Sequence, residues 1–266
     1  MAPMPTLFIS HGSPLIAIED CPARRFLTEL GKTLERPKAI LVASAHWETS
    51  GHPAVSLAPK PETIHDFGGF PQALYEIRYP APGAPEVAEA AARLLEQAGF
   101  AVQRDPSRGL DHGAWVPLSL MYPAADIPVA QLALVHGAGP AAHYRLGAAL
   151  RPLRAQDVLI MGSGSLTHNL QEVWRNPLDA PTPAWVSAFG EWIAAKLQQP
   201  HLEELLDYRK QAPHAVKNHP TEEHLLPLFV AMGAAGEPFF AKRVHTSHTY
   251  GVLAMDAYIF NNPGIE

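Results

Sequence analysis

Three unbroken apolar runs, each followed by a histidine, constrain this chain more than any other feature. Thr6-Leu7-Phe8-Ile9-Ser10 delivers His11 and then turns at Gly12-Ser13-Pro14. Ile40-Leu41-Val42-Ala43-Ser44-Ala45 delivers His46 and Trp47. Val158-Leu159-Ile160-Met161 leads through Gly162-Ser163-Gly164-Ser165-Leu166-Thr167 to His168. A strand with one wet face alternates polar and apolar residues. A continuous run instead marks a strand buried on both faces, as in a parallel sheet covered by helices. The segment between the first two runs fits that picture. Phe26, Leu27, Leu30 and Leu34 recur at helical spacing, and Pro37 ends the helix. Strand, helix and strand make a parallel βαβ unit.

The rest of the chain extends the same pattern. Helices are predicted over 86–98, 140–151 and 184–197, with short ones near 72–75 and 202–206. Strands are predicted over 53–57, 100–103, 127–134, 157–162, 239–244 and 252–260. The expected fold class is α/β: a mostly parallel central sheet flanked by helices, with the functional site at the strand C-terminal ends. Residues 1–266 read as a single catalytic domain. The proline-rich stretch 176–183 is a loop rather than a linker, because the chain beyond it has too little strand to close a core alone. Between Gly51 and Pro85, prolines and glycines alternate with Phe67, Phe70, Tyr75 and Tyr79. Long loops in compact domains are usually functional or disordered, and the aromatics argue for order. Such a loop can wall a substrate pocket.

In open α/β sheets, ligands bind outside the carboxyl ends of the strands. Histidines brought there by separate strands can converge, so His11, His46 and His168 are candidates to hold a metal ion. A hydrogen-bonded histidine at a strand end is the plainer reading of any one of them; their matched settings favour a shared site. His224 is expected in the first turn of a helix capped by Thr221. The positive end of the helix dipole disfavours imidazolium and keeps the ring fit for a metal. Glu223 is a rival ligand, since adjacent helical residues point about 100° apart and only one reaches the ion. There is no His-Glu-x-x-His pair, which counts against a metalloprotease. His112 follows Asp111, a candidate N-cap, and is either a site residue or a capping or surface histidine. His65 and Asp66, in the aromatic loop, are candidate substrate contacts, with an exposed turn as the alternative. The Gly-Ser run 162–165 matches neither the Walker nor the dinucleotide spacing and reads as letting backbone pass close to the site.

Composition narrows the chemistry. The single cysteine, Cys21, rules out an intrachain disulfide or a thiolate cluster and fits a reducing compartment. Imidazoles, with or without a carboxylate, suit zinc or Fe(II) rather than magnesium or calcium, and composition does not choose between the two. A net charge of −6 without a basic run argues against nucleic acid or an anionic membrane surface as partner. No secretory signal or run of about 20 apolar residues is seen, so a soluble cytoplasmic protein is expected.

Taken together, Ile9-Ser10-His11-Gly12-Ser13-Pro14, Ser44-Ala45-His46-Trp47, the stretch Thr63–Pro71 around His65-Asp66-Phe67, Leu110-Asp111-His112-Gly113-Ala114-Trp115, His168-Asn169-Leu170 and Glu223-His224-Leu225-Leu226-Pro227-Leu228 occur in order. This ordered set resembles the class III extradiol ring-cleavage dioxygenases of the DOPA 4,5-dioxygenase type, from about Pro5 to Phe260. The resemblance implies a metal site of His11, His46 and His224, with Glu223 as the carboxylate alternative to His224. It implies His168 as a fourth ligand or as acid–base catalyst, and His112 as a second pocket histidine. Fe(II) is then expected for activity, with Zn(II) as an alternative bound metal, and a small aromatic diol and O2 as reactants. A zinc hydrolase on the same histidines, and a non-enzymatic metal- or peptide-binding protein of the same fold, are the competing readings.

Overall fold

In the computed structural model, which describes residues 2–199 and 201–262, the central strands feed two apolar cores alternately. Phe8, Leu41 and Ile160 enter one core; Leu7, Ile9, Ile40, Val42, Leu159 and Met161 enter the other. Neither face of these strands meets water, which is why their sequences do not alternate.

The strands are β1 (Thr6–Ser10), β2 (Ala39–Thr49), β3 (Ala54–Ser56), β4 (Gln103–Asp105), β5 (Val129–Val135), β6 (Val158–Gly164), β7 (Phe240–His245), β8 (His248–Thr249), β9 (Leu253–Ala254) and β10 (Ala257–Asn261). Eight of them form one sheet in the order β4-β3-β5-β2-β6-β1-β10-β7. The middle four, β5, β2, β6 and β1, are mutually parallel. Antiparallel pairings bring in β3 on one side and β10 and β7 on the other. The fold is therefore α/β with a mixed, mostly parallel sheet between helical layers, as expected. No helix among the described residues is long and apolar enough to cross a membrane.

Three local expectations change. β2 continues to Thr49 rather than ending at residue 45, so His46 lies inside the strand. Its register with β5 shifts between Ala43 and Glu48, an irregularity of the kind that re-aims side chains. The segment predicted as one strand over 252–260 splits into β9 and β10 around Asp256. The helix predicted to open at Thr221 starts at Leu226 instead. Thr221 turns its hydroxyl to Glu223. Pro227 occupies the first helical turn, where its missing N–H leaves no helical bond unmade. His224 consequently sits in a turn ahead of the helix.

That helix, Leu226–Ala235, is buried on every side. It crosses Gly139–Leu150 so closely that a Cβ on Gly147 would strike the Val230 carbonyl, and one on Gly233 the Tyr144 carbonyl. The buried Arg154 donates from Nη1 to the carbonyls of Ala234 (3.3 Å) and Ala235 (2.7 Å), answering the negative end of the helix.

Asp256, 2% exposed, lies 3.5 Å from Arg243. Burial pushes its carboxyl up to about 7, although Arg243 pulls the other way. Between the unfolded value of 3.8 and about 7, the folded protein keeps a proton that the unfolded chain has released. Stability is therefore lost as pH rises through that window. Asp256→Asn removes this loss, and its stability relative to the parent should improve by roughly 4 kcal/mol between pH 4 and pH 8. Urea unfolding at the two pH values measures it; parallel pH profiles for parent and variant would refute the assignment.

Candidate metal centre

β1, β6 and β2 lie side by side, so their C-terminal ends bring His11, Ser163 and His46 to one place. The end of β6 also ties in the fourth segment. The His11 amide donates to the Gly164 carbonyl at 2.9 Å, and the Ser165 amide donates to the His224 carbonyl at 2.8 Å. A Cβ on Gly164 would strike that same His224 carbonyl, and one on Gly162 the carbonyl of Pro227. The close-passage reading of the Gly-Ser run holds, and the backbone that passes is His224's own. Gly164→Ala should displace His224, cost about 1–3 kcal/mol of stability, and weaken metal affinity by roughly 10–100-fold. Urea unfolding and metal titration test this; unchanged metal affinity would show that the close approach does not position the ligand.

One ring nitrogen each from His11, His46 and His224 falls within 4.8 Å of the others. The hydrogen bonds indicate which nitrogens these are. Ser163 donates its hydroxyl to the Gly113 carbonyl, so toward His11 Nδ1, 3.0 Å away, it accepts. His224 Nδ1 donates to Glu223 Oε1 at 2.8 Å. His46 Nδ1 faces Asp66 Oδ2 at 3.6 Å. The acceptors on His11 Nδ1 and His224 Nδ1 hold the proton there and leave those Nε2 lone pairs bare, and the charge of the Asp66 carboxylate favours the same tautomer of His46. The Nε2 atoms of His11 and His46 are 3.0 Å apart. Two bare lone pairs at that distance repel unless a cation joins them. The residues therefore fit a metal ion, and the donor set fits a first-row transition metal.

Burial reinforces the neutral state. It lowers the imidazolium pKa of His11 and of His224 well below the usual value, the neighbouring histidines adding to the effect. Burial, followed by the nearby His112, lowers that of His46 to about 4. His168 is likewise lowered to about 4, chiefly by burial.

His168 stacks on His224 with ring centroids 3.4 Å apart and planes 9° from parallel. It groups with Glu223 and His224, not with His11 and His46. Glu223, the alternative ligand, accepts a hydrogen bond from His224 Nδ1. His112 lies with its ring centroid 3.9 Å from that of His46. Asp66 Oδ1 is 3.0 Å from His112 Nδ1 and accepts from its backbone amide at 2.9 Å. Burial opposes ionisation of Asp66, but the contacts with His112 outweigh it and hold the carboxyl down at about 2.

His65, expected beside Asp66 at the substrate, is not there. Its Nε2 faces the Ile77 carbonyl at 3.1 Å, and its ring packs against Phe67 and Trp115 behind the wall. The buried Asp111 does more than cap its helix. It accepts from Ser44 (2.6 Å), Gln131 (2.7 Å), Arg108 (2.9 Å) and the Ala114 amide (3.2 Å), fixing the approach to His46. Ser163, the His11 anchor, is not among the residues that the sequence singles out; the alternation of β6 is the signal that it faces the opposite way from Gly162 and Gly164. The histidines form the floor of a cavity of about 630 Å³ whose walls include Phe67, Phe70, Trp174 and Tyr250.

Fold and site together define a class: an α/β protein with a three-histidine group fit to hold a metal under an aromatic-walled cavity. The chain belongs to the family described as catalytic LigB subunit of aromatic ring-opening dioxygenase, which it matches over residues 5–260. It is 46% identical over 261 residues to a 4,5-DOPA dioxygenase extradiol from Beta vulgaris, covering 97% of this chain and 96% of that protein. It is 42% identical over 234 residues to one from Escherichia coli K12, covering 87% and 85%. A solved structure of an uncharacterized Escherichia coli K12 protein aligns with a TM-score of 0.80 at 32% identity, covering 97% of this chain and all of that one. The chain is thus an extradiol ring-opening dioxygenase of the DOPA 4,5-dioxygenase type. The hydrolase and non-enzymatic readings give way to it.

Proposed function

We propose that the chain opens the ring of a substituted catechol with O2, using Fe(II) held by His11, His46 and His224. The observation that carries this reading is the pair of facing Nε2 atoms on the floor of the cavity, His11 backed through Nδ1 by Ser163 and His46 facing the Asp66 carboxylate through Nδ1. Fe(II) bound there supplies the one-electron chemistry with O2 that no side chain provides.

The chain's own groups do the rest. A catechol hydroxyl resembles a phenol with a pKa of about 10 and must lose its proton to chelate. His168 is neutral at physiological pH, close to the floor, and outside the three-histidine group, so it is placed to take that proton. His112, oriented by Asp66, lies against His46 and can exchange a second proton. Phe67 and Phe70 offer apolar faces to the substrate ring and limit water at the floor.

Anaerobic reconstitution with Fe(II), followed by a panel of catechols that includes DOPA, tests the reading. Oxygen uptake matched to coloured semialdehyde product is expected with Fe(II) and not with Zn(II). Absence of oxygen uptake across the panel, with ester or amide hydrolysis by the zinc form, would overturn it.

A further inference from the structure

The cavity is charged on one side only. Glu19 and Asp66 line it, and among the described residues no lysine or arginine does. Asp66 is engaged by His112. Glu19 has no ion-pair partner among the described residues and stands at the rim, just beyond the short helix Pro14–Ala17 that follows His11. Tyr250 lines the cavity there too, and the pair also shares a smaller adjoining hollow. Burial raises the Tyr250 phenol pKa, and the negative charge of Glu19 adds to it. Trp174 completes the rim with 77% of its surface exposed. So large an exposed aromatic at a cavity mouth is unusual away from a ligand surface.

A free carboxylate beside a tyrosine ring, at a mouth that also carries an exposed tryptophan, suits a cation. An ammonium group pairs with the carboxylate and presents its positive charge to the ring faces. A substrate carboxylate at the same place would meet Glu19 with no cation to answer it.

We infer that Glu19, with Tyr250 and Trp174, selects catechols whose ring substituent ends in a protonated amine, recognising that group and not a carboxylate on the same arm. This rests on the catechol-cleaving function proposed above and adds the substrate class. It assigns Glu19 to specificity and not to ring opening.

The test compares three catechols with matched four-position arms on the Fe(II) enzyme: 4-(2-aminoethyl)catechol, uncharged 4-propylcatechol, and anionic 3-(3,4-dihydroxyphenyl)propionate. In the parent, kcat/KM should favour the amine over the uncharged arm by about 5–20-fold, with the anionic arm poorest. The amine preference should shrink as salt rises. Glu19→Gln should bring the amine-to-uncharged ratio to within about twofold of unity, and Glu19→Lys should place the anionic arm first. Ratios within one variant cancel any general loss of folded or metal-loaded enzyme. Equal kcat/KM for the three arms in the parent, a parent preference for the anionic arm, or an amine preference that survives Glu19→Gln would overturn the inference and leave ring cleavage standing. Failure of all three to consume oxygen would instead sink the catechol reading itself.

Discussion

His11→Ala protein should take up neither Fe(II) nor Zn(II) at concentrations that saturate the parent, with affinity down by more than about 100-fold. His11 follows a central strand, its amide tied to Gly164 and its Nδ1 to Ser163, so its ring is held in place toward His46. Ser163→Ala gives the internal comparison. It keeps the ligand but removes the acceptor that fixes the tautomer, and the loss should be smaller, roughly 10–100-fold. Metal titration by calorimetry or elemental analysis reads both. Full occupancy in His11→Ala would remove the site as described.

His168→Ala is the second large effect, and its signature is the opposite. Metal affinity should stay within about twofold of the parent, while turnover falls by roughly 10²–10⁴-fold, the usual contribution of a positioned acid–base group. The basis is geometric. His168 lies flat against His224, and its backbone amide is anchored to the Asn218 carbonyl at 2.9 Å. Among the described residues, only Glu223 and His224 share a ligand-like group with it. If His168→Ala loses metal as severely as His11→Ala, His168 is a fourth ligand and the proton passes elsewhere. Measuring occupancy before turnover separates the two roles.

Much of this site can be read in the chain because two-sided burial writes strongly in sequence. β1, β2 and β6 are unbroken apolar runs, and each run predicts both a central strand and the place where its histidine emerges. Asp111 before His112 likewise predicts a helix start. Capping chemistry taken out of context misleads. Thr221 followed by two acidic residues looks like an N-terminus, yet Glu223 binds Thr221 and His224, Glu222 accepts from Tyr208, and Pro227 marks the actual start. His65 is misplaced because a loop has no period to say which side chain faces inward. Glu19, Trp174 and Tyr250 reach one rim from distant segments, and no local pattern links them. The antiparallel edge strands are equally hidden, because strand direction at an edge depends on connections rather than composition.

The division between floor and walls bears on how such a protein can change. The rings of His11 and His224 are held by Ser163 and Glu223, that of His46 faces Asp66, and the backbone at the end of β6 ties His11 and His224 together. The walls come largely from residues 66–71, 170–176 and 250–253, in segments mostly outside the central strands. Random substitution should therefore sort into two populations. Changes to the floor extinguish the reaction, while changes to the walls redirect it to other ring substituents with the chemistry intact. Libraries confined to the wall segments are the economical route to new substrates.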